Sequence, residues 1–213
     1  MNIAVGLLAY NSERWIAESA GCLQPYVDNV YVLIDAATKD NTARILDEMQ
    51  INHSERVWTH HYAAAKNHLL DQLDFWFKPD WYIILDDDEK LSPTAAKKLI
   101  DIIKTTDKDG IEIPMKQHYP YWATDEENFM VEFGFNPHIS AFKKGYRYGN
   151  VVHESINVPM EKRLRFPELV EKDVFIHHHA WKGNRLKYEA AHHTYYQDLS
   201  FGSLNLKEGE HRW

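Results

Sequence analysis

Short apolar segments alternate with segments of helical periodicity along the first half of this 213-residue chain. Each apolar segment has the length of a buried strand, and apolar residues at helical spacing follow it. This alternation is typical of βα units, in which the strands pair into a mainly parallel sheet that helices cover. The sequence therefore predicts an α/β fold. The predicted strands are Ile3–Ala9, Val30–Asp35, Arg56–Thr59 and Trp81–Leu85.

Two of the predicted helices have clear start signals. Asn11 or Ser12 is placed to cap the helix after the first strand, because both residue types accept hydrogen bonds from exposed amides at a helix start. Ser92 is placed to cap the helix after the fourth strand, and Pro93 then occupies the first helical position, where proline is favoured. We expect both helices to pack against the sheet.

The charge balance and the cysteine content limit the possible partners and compartments. The chain has 24 Lys+Arg and 32 Asp+Glu, a net charge of −8, whereas proteins that bind duplex nucleic acid normally have a basic surplus. No apolar run approaches the roughly 18 residues of a membrane span, and the first residues lack the basic flank of a signal peptide. With Cys22 as the single cysteine, these features predict a cytoplasmic protein without a transmembrane segment or a nucleic-acid partner.

Polar side chains follow three of the predicted strands at their carboxyl ends. Tyr10 and Asn11 follow the first strand, Asp35 ends the second, and a run from Asp86 to Asp88 follows the fourth. Ligands of open α/β sheets bind at this edge, and carboxylates crowded there repel one another unless a cation is present. A divalent metal would relieve this repulsion and would supply the positive charge that phosphates require. An isolated acidic run is more often a solvated turn, but this run directly follows a continuous apolar strand.

Four segments, in the same order and spacing, resemble family-2 glycosyltransferases of the GT-A fold. Their usual motifs are YNEE, VDDGSTDNT, ARNxAL and LDADE. Residues 142–156 and 178–181 further resemble the branch of this family that builds surface polysaccharides and lipopolysaccharide cores. The resemblance implies a GT-A-type, Rossmann-like fold that transfers a sugar from a nucleotide diphosphate donor to an acceptor hydroxyl. The corresponding segments here are AYNSERWI, VYVLIDAATKDNT, AAAKNHLLDQL and DWYIILDDDEKLSP.

The resemblance also assigns nucleotide contacts to individual residues. Lys66 stands where the family usually has arginine, near the base and the diphosphate; lysine keeps the charge but loses the bidentate geometry. Asp35 would bind the base or the ribose, Asp87 would contact the ribose, and Asp86 lies beside the diphosphate. The nucleobase would be lined by Ala9, Tyr10 and Asn11.

The expected metal ligands come from two separate parts of the chain. Asp88, with or without Asp86, would bind the cation, and a residue of the histidine run 177–179 would complete the protein ligands. The motif match favours His178, and in a strand the two flanking histidines would face the other way. Oxygen ligands with one imidazole suit Mn²⁺, with Mg²⁺ as the alternative, whereas zinc normally has more cysteine or histidine ligands.

The implied reaction is an inverting single displacement by a hexosyl- or deoxyhexosyltransferase. The family favours a UDP-sugar donor, and the acceptor would be a glycan or glycoconjugate. The acceptor hydroxyl must lose a proton as it attacks, which requires a carboxylate base. Glu154 is the candidate, although a surface or salt-bridged glutamate is an equally good interpretation, and Glu89 and Asp125 are the reserves.

Three other classes of protein explain less of the sequence. A sugar nucleotidylyltransferase needs a glycine-rich loop after the first strand, where this chain has AYNSER. A carbohydrate-binding module explains aromatic residues but not carboxylates at parallel strand ends. A metal-dependent hydrolase of nucleotide sugars or other phosphate esters remains the alternative. Residues that either stack on sugars or belong to the core are Tyr119, Tyr121, Trp122 and Trp181.

The sequence texture changes after Gly110, where short β-like runs lie among glycine, proline and aromatic residues. We expect a single GT-A catalytic domain over residues 1–213. Its nucleotide-binding half would be residues 1–105, and residues 106–213 would complete the acceptor and metal sites. The last residues, LKEGEHRW, form no clear closing element, which leaves open that the chain is part of a longer multidomain protein.

Overall fold

A computed structural model describes residues 1–59, 61–120, 129–149 and 155–179, with the backbone alone for 117–120 and 129–137. The helices are α1 Ile16–Gly21, α2 Thr42–Glu48, α3 Tyr62–Trp76, α4 Pro93–Thr105 and α5 Phe166–Glu171, with a 3₁₀ turn at Met160–Lys162. The strands are β1 Ile3–Ala9, β2 Asn29–Asp35, β3 Asn52–Arg56, β4 Trp81–Asp86, β5 Glu89–Lys90, β6 Gly110–Pro120, β7 Phe129–Lys143, β8 Tyr148–Gly149, β9 Ser155–Ile156, β10 Arg163–Leu164 and β11 Ile176–His178.

The central sheet has the strand order β3-β2-β1-β4-β7-β6-β11-β5, and β10 pairs with β6 beside this path. As predicted, β1 to β4 are parallel, with β1 between β2 and β4. The long strand β7 then runs antiparallel to both β4 and β6. Strands β8 and β9 form a separate two-stranded ribbon. The parallel half thus brings the ends of β1, β2 and β4 to one edge.

Alternate residues of β1 face opposite sides of the sheet, because side chains alternate along a strand. Val5 and Leu7 belong to a buried cluster with residues of α1, α2 and α4. Ala4 belongs to a second cluster with leucines of α3. On that side, a Cβ at Gly6 would lie 2.9 Å from Leu73 Cδ1, so glycine allows α3 to pack directly on the strand. Both faces are covered, as the continuous apolar sequence predicts.

The third strand differs from its prediction at Arg56–Thr59. In the structure β3 is Asn52–Arg56, and its residues are partly or fully exposed. Its place in the sheet comes from backbone pairing with β2, from Tyr31 opposite Asn52 to Asp35 opposite Arg56. An exposed edge strand of polar residues has no apolar pattern to mark it, which explains the error.

The first helix begins later than predicted, at Ile16, and neither Asn11 nor Ser12 caps it with a side chain. Ser12 contributes its backbone oxygen instead, which accepts hydrogen bonds from the amides of Trp15 and Ile16 at 2.9 Å. The prediction for α4 is confirmed: Ser92 Oγ accepts a hydrogen bond from the Ala95 amide at 3.2 Å. None of the helices in the described part of the chain combines the length and apolar character of a membrane span.

Candidate functional site

Asp87 connects the end of β4 to the loop that follows β1. Its Oδ2 accepts hydrogen bonds from the Tyr10 amide, at 3.1 Å, and from the Ser12 hydroxyl. The Ser12 amide in turn donates to Thr42 Oγ1 at 2.7 Å, and Thr42 is the first residue of α2, where the loop after β2 ends. Ser12 is fully buried and Asp87 is only 8% exposed, and buried polar groups of this kind require hydrogen-bond partners. The loops at three strand ends therefore form one connected cluster.

A second set of hydrogen bonds joins the loops after β1 and β2. Asn11 has a left-handed backbone with φ 47°, and its Oδ1 accepts a hydrogen bond from the Lys39 amide at 2.8 Å. Asparagine is one of the few residues that adopts this conformation readily. Glu13 Oε2 accepts from the Asn41 amide, and Asp40 Oδ2 accepts from the Glu13 amide. These reciprocal contacts hold the two loops side by side.

Asp35 lies at the same edge, one strand away. Its Oδ1 accepts a hydrogen bond from the Ala37 amide at 2.9 Å, which shapes the turn after β2. Ala9 of β1 is opposite Ile34 of β2, and Ala9 and Asp35 are 4% and 9% exposed. The predicted nucleobase contact and the predicted base or ribose contact are therefore neighbours at the end of two adjacent strands.

Lys66 of α3 forms an ion pair with Asp86, the last residue of β4. Its Nζ lies 3.2 Å from Asp86 Oδ1, and the same ammonium is 5.6 Å from the centroid of the Tyr148 ring. Burial acts to raise the pKa of Asp86, but the charges of Lys66, His178 and His138 together hold it below its ordinary value. Asp86 is therefore a carboxylate at neutral pH, with a cationic partner from a neighbouring helix.

Strand pairing brings the histidines at 177–179 next to the acidic residues at 86–89. β11 is antiparallel to β5, with His178 opposite Glu89, and the His179 amide donates to the Asp88 carbonyl at 2.9 Å. His178 Nε2 lies 3.5 Å from Asp88 Oδ1. Burial lowers the pKa of His178, but the hydrogen bond with Asp88 and the charges of Asp88, Glu89 and Asp86 outweigh burial and raise it to about 9.

Glu89, the first residue of β5, follows Asp88 and is 5% exposed. Its Oε2 accepts a hydrogen bond from the Asp86 amide at 2.9 Å. Burial and the charge of Asp86 raise the pKa of Glu89 to about 8. One oxygen of this buried carboxyl is thus occupied by a backbone amide, and the role of Glu89 as the reserve base stays a prediction.

Two of the three expected metal ligands are brought together. Asp88 Oδ1 and His178 Nε2, at 3.5 Å, are close enough for one cation to contact both at bond lengths of about 2 Å. Asp86 is paired with Lys66 instead. Within the described ranges, no group of three or more His, Cys, Asp or Glu side chains forms a metal-binding cluster. With the His178 imidazole deprotonated, as metal binding requires, Asp88 and His178 fit a divalent cation such as Mn²⁺ as a pair, and the other ligand positions would belong to a phosphate or water.

The family model for glycosyl transferase family 2 matches residues 5–154. The chain belongs to glycosyl transferase family 2. A structure of TarS from S. aureus, TarS 1–349 in complex with UDP-GlcNAc, is 14% identical over 98% of this chain and 68% of that chain, with a TM-score of 0.61. TarS 1–349 in another crystal structure is 18% identical over 67% of this chain, with a TM-score of 0.50.

The chain spans about half of that second TarS structure, 47% of its length. No curated protein sequence matches it. At these identities the likeness to TarS concerns the fold. Together with the mainly parallel central sheet, it confirms the expected GT-A-type, Rossmann-like α/β fold.

The predicted nucleotide contacts of this family 2 chain lie on strand ends, on loops or on a helix at the carboxyl edge of its sheet. Glu154 and its reserve Asp125 lie outside the described residues, as do three of the predicted aromatic residues, and Tyr119 is described by its backbone alone. The residues that lie at this edge are Ala9, Tyr10, Asn11, Asp35, Lys66, Asp86 and Asp87.

Three residues near this family 2 site were missed from the sequence. Ser12 was interpreted as a helix cap, and only the tertiary contact with Asp87 reveals its role. His138 lies on β7, and its charge lowers the pKa of Asp86. Tyr148 lies beside the Lys66 ammonium. No local pattern marks the last two, because the β7 and β8 segments carry them to the site.

Proposed function

We propose that this chain transfers a hexosyl or deoxyhexosyl group from a nucleoside diphosphate donor to a hydroxyl of a glycan or glycoconjugate, with inversion and with Mn²⁺ or Mg²⁺. The observation that supports this proposal most is the junction of the β1, β2 and β4 loops through Asp87, directly beside the Asp88–His178 pair. Membership of glycosyl transferase family 2 supports it independently. TarS structures hold UDP and UDP-GlcNAc, which favours a UDP-sugar donor here.

The nucleoside would bind along the loops that Asp87 and Asn11 hold in place. Ala9, Tyr10 and Asp35 surround the ends of β1 and β2, where a base and ribose would lie. Asp87 holds Tyr10 and Ser12 through Oδ2, and a ribose hydroxyl would bind the same carboxylate. This arrangement orders the loops before the ligand arrives, which lowers the entropic cost of binding.

Asp88 and His178 would hold the cation, and Lys66 would face the diphosphate. When bound, the cation stabilises negative charge that develops on the leaving nucleoside diphosphate. Lys66 already carries a positive charge at this acidic edge, where it balances Asp86. On diphosphate binding, its ammonium would contact a phosphate oxygen as well as the carboxylate.

In the transfer step, the acceptor oxygen forms a bond to the anomeric carbon from the side opposite the diphosphate. The bond between that carbon and the phosphate oxygen breaks, and its electron pair leaves with the nucleoside diphosphate. The hydroxyl proton passes to a carboxylate, for which we propose Glu154. Attack from the far side inverts the anomeric centre.

A thermal-shift screen of UDP, GDP, dTDP and CDP, each with and without Mn²⁺, tests the donor and the metal together. Ligands that bind the native state raise the melting temperature in proportion to the logarithm of their concentration. We expect UDP with Mn²⁺ to give the largest increase and UDP alone a smaller one. Equal responses to all four nucleotides, or no response, would count against the proposal.

A second assay separates transfer from hydrolysis. With UDP-sugars as donors, release of UDP should require an added glycan acceptor in a transferase. Release at the same rate without acceptor, with free sugar as the product, would favour the hydrolase alternative. Comparing both rates on the same preparation excludes differences in folding.

A further inference from the structure

The aromatic ring of Trp15 stacks on the imidazole of His179. The ring centroids are 4.7 Å apart and the planes differ by 17°. Trp15 precedes α1, at the end of the loop that follows β1, whereas His179 follows β11. This contact joins the proposed nucleotide edge to the strand that carries a proposed metal ligand.

A continuous series of contacts leads from Asp87 through Ser12, Trp15 and His179 back to Asp88. Asp87 binds the hydroxyl of Ser12, and the Ser12 carbonyl accepts the Trp15 amide at 2.9 Å. The Trp15 ring stacks on His179, whose amide donates to the Asp88 carbonyl at 2.9 Å. This series of contacts therefore begins and ends on adjacent aspartates of the same turn.

β11 has only three residues, so its pairing with β5 and β6 provides few hydrogen bonds to hold its end. The stack adds an anchor one residue beyond His178, on the backbone that determines where the His178 ring points. We infer that Trp15 is a positioning residue, which holds His178 against Asp88 by fixing His179. This inference rests on the proposed function, in which Asp88 and His178 hold the cation.

The test compares Trp15→Leu, which keeps apolar bulk without a flat ring, with Trp15→Phe, which keeps a ring. Trp76→Leu is the matched control, because Trp76 is a 60% exposed tryptophan on α3. Two quantities are measured on the full chain: the hydrogen-exchange rate of the His179 amide by NMR, and the Mn²⁺ dissociation constant from free-ion EPR.

For Trp15→Leu we expect about tenfold faster exchange of the His179 amide, because a lost stack weakens the local closed state. We also expect about a tenfold higher Mn²⁺ dissociation constant, as for loss of other groups that orient metal ligands. Trp15→Phe should restore most of both values, and Trp76→Leu should change neither. Wild-type exchange at His179 in Trp15→Leu would overturn the inference.

If Trp15→Leu does not fold, His179→Ala removes the same stack from the other side. The exchange rate of the amide at position 179 and the Mn²⁺ dissociation constant of that variant then test the inference, with the same expected changes. A wild-type chain that binds no Mn²⁺ would overturn the metal part of the proposed function. In that case the exchange rate, which needs no metal, still decides whether Trp15 holds the end of β11.

Discussion

Lys66 Nζ lies 3.2 Å from Asp86 Oδ1, and the Lys66 side chain is only 12% exposed. Although the chain has a net charge of −8, it places the positively charged Lys66 side chain at the acidic edge of its sheet. The contact joins α3 to the end of β4 and gives Asp86 a partner that a second positive ion would have to displace. Lys66 therefore has a structural partner and a proposed ligand in the same place.

Replacing Lys66 with methionine should weaken nucleotide binding more than it weakens the fold. The carboxylate side chain of Asp86 is 46% exposed, so water screens the ion pair on that side, and loss of the pair should lower the free energy of unfolding by less than about 1 kcal/mol. Loss of a charged contact to the diphosphate should raise the UDP dissociation constant by about tenfold or more. Calorimetry with UDP and urea unfolding measure the two effects. Lys97→Met, at a lysine whose side chain is 66% exposed, is the control; equal UDP affinity in both variants would refute the role of Lys66.

Asp88→Asn should remove most of the response to Mn²⁺. The amide keeps the size of the side chain but loses the charge that a divalent cation requires. We expect transfer to fall by about a hundredfold or more and the Mn²⁺-dependent thermal shift to disappear. Asp101→Asn, at an exposed aspartate of α4 paired with Lys97, should behave as wild type. An unchanged Mn²⁺ response in Asp88→Asn would show that Asp88 does not bind the metal.

Ser12→Ala should destabilise the chain although it changes one small side chain. Ser12 is fully buried, and its hydroxyl donates to the Asp87 carboxylate. Loss of a hydrogen bond to a charged group should lower the free energy of unfolding by about 1.5–3 kcal/mol. Ser92→Ala, which removes the cap of α4, should cost about 1 kcal/mol. Urea unfolding of both variants checks this order, and a smaller loss for Ser12→Ala would contradict it.

Asp109 should make stability depend on pH in the acid range. Hydrogen bonds from Lys143, Tyr146 and Lys162 lower the pKa of Asp109 from 3.8 to about 2. Because the folded pKa is lower than the unfolded one, the stabilisation is complete above pH 4 and is lost as pH falls from about 4 to 2. The difference in unfolding free energy between wild type and Asp109→Asn should therefore shrink over this interval. A difference that stays constant from pH 5 to pH 2 would show that the charge contributes nothing.

Glu154→Gln should separate binding from transfer. If Glu154 accepts the proton of the acceptor hydroxyl, the amide should lower the transfer rate by about a hundredfold or more and leave UDP affinity unchanged. Glu168→Gln, at an exposed glutamate of α5, serves as the control. Calorimetry and a UDP-release assay distinguish the two effects. A Glu154→Gln rate near that of the control would exclude this residue as the base.

The sequence by itself determined the parallel half of the fold and the side chains at its edge. Continuous apolar runs such as Ile3–Ala9 and Trp81–Leu85, alternating with helical patterns, indicate buried parallel strands, and the polar residues after them then lie at the carboxyl edge. The start of α4 could also be predicted, because Ser92 and Pro93 favour a helix start through local contacts. The polar edge strand β3 was not, because it lacks an apolar pattern.

Only the tertiary structure decided which of these side chains meet. Ser12 has the chemistry of a helix cap, but it binds Asp87 because folding brings β4 beside β1. His178 faces Asp88 because β11 pairs with both β5 and β6. The same pairing places His179, the residue after β11, against the Trp15 ring. These contacts join residues far apart in sequence, so backbone pairing and packing, rather than local preference, select the partners.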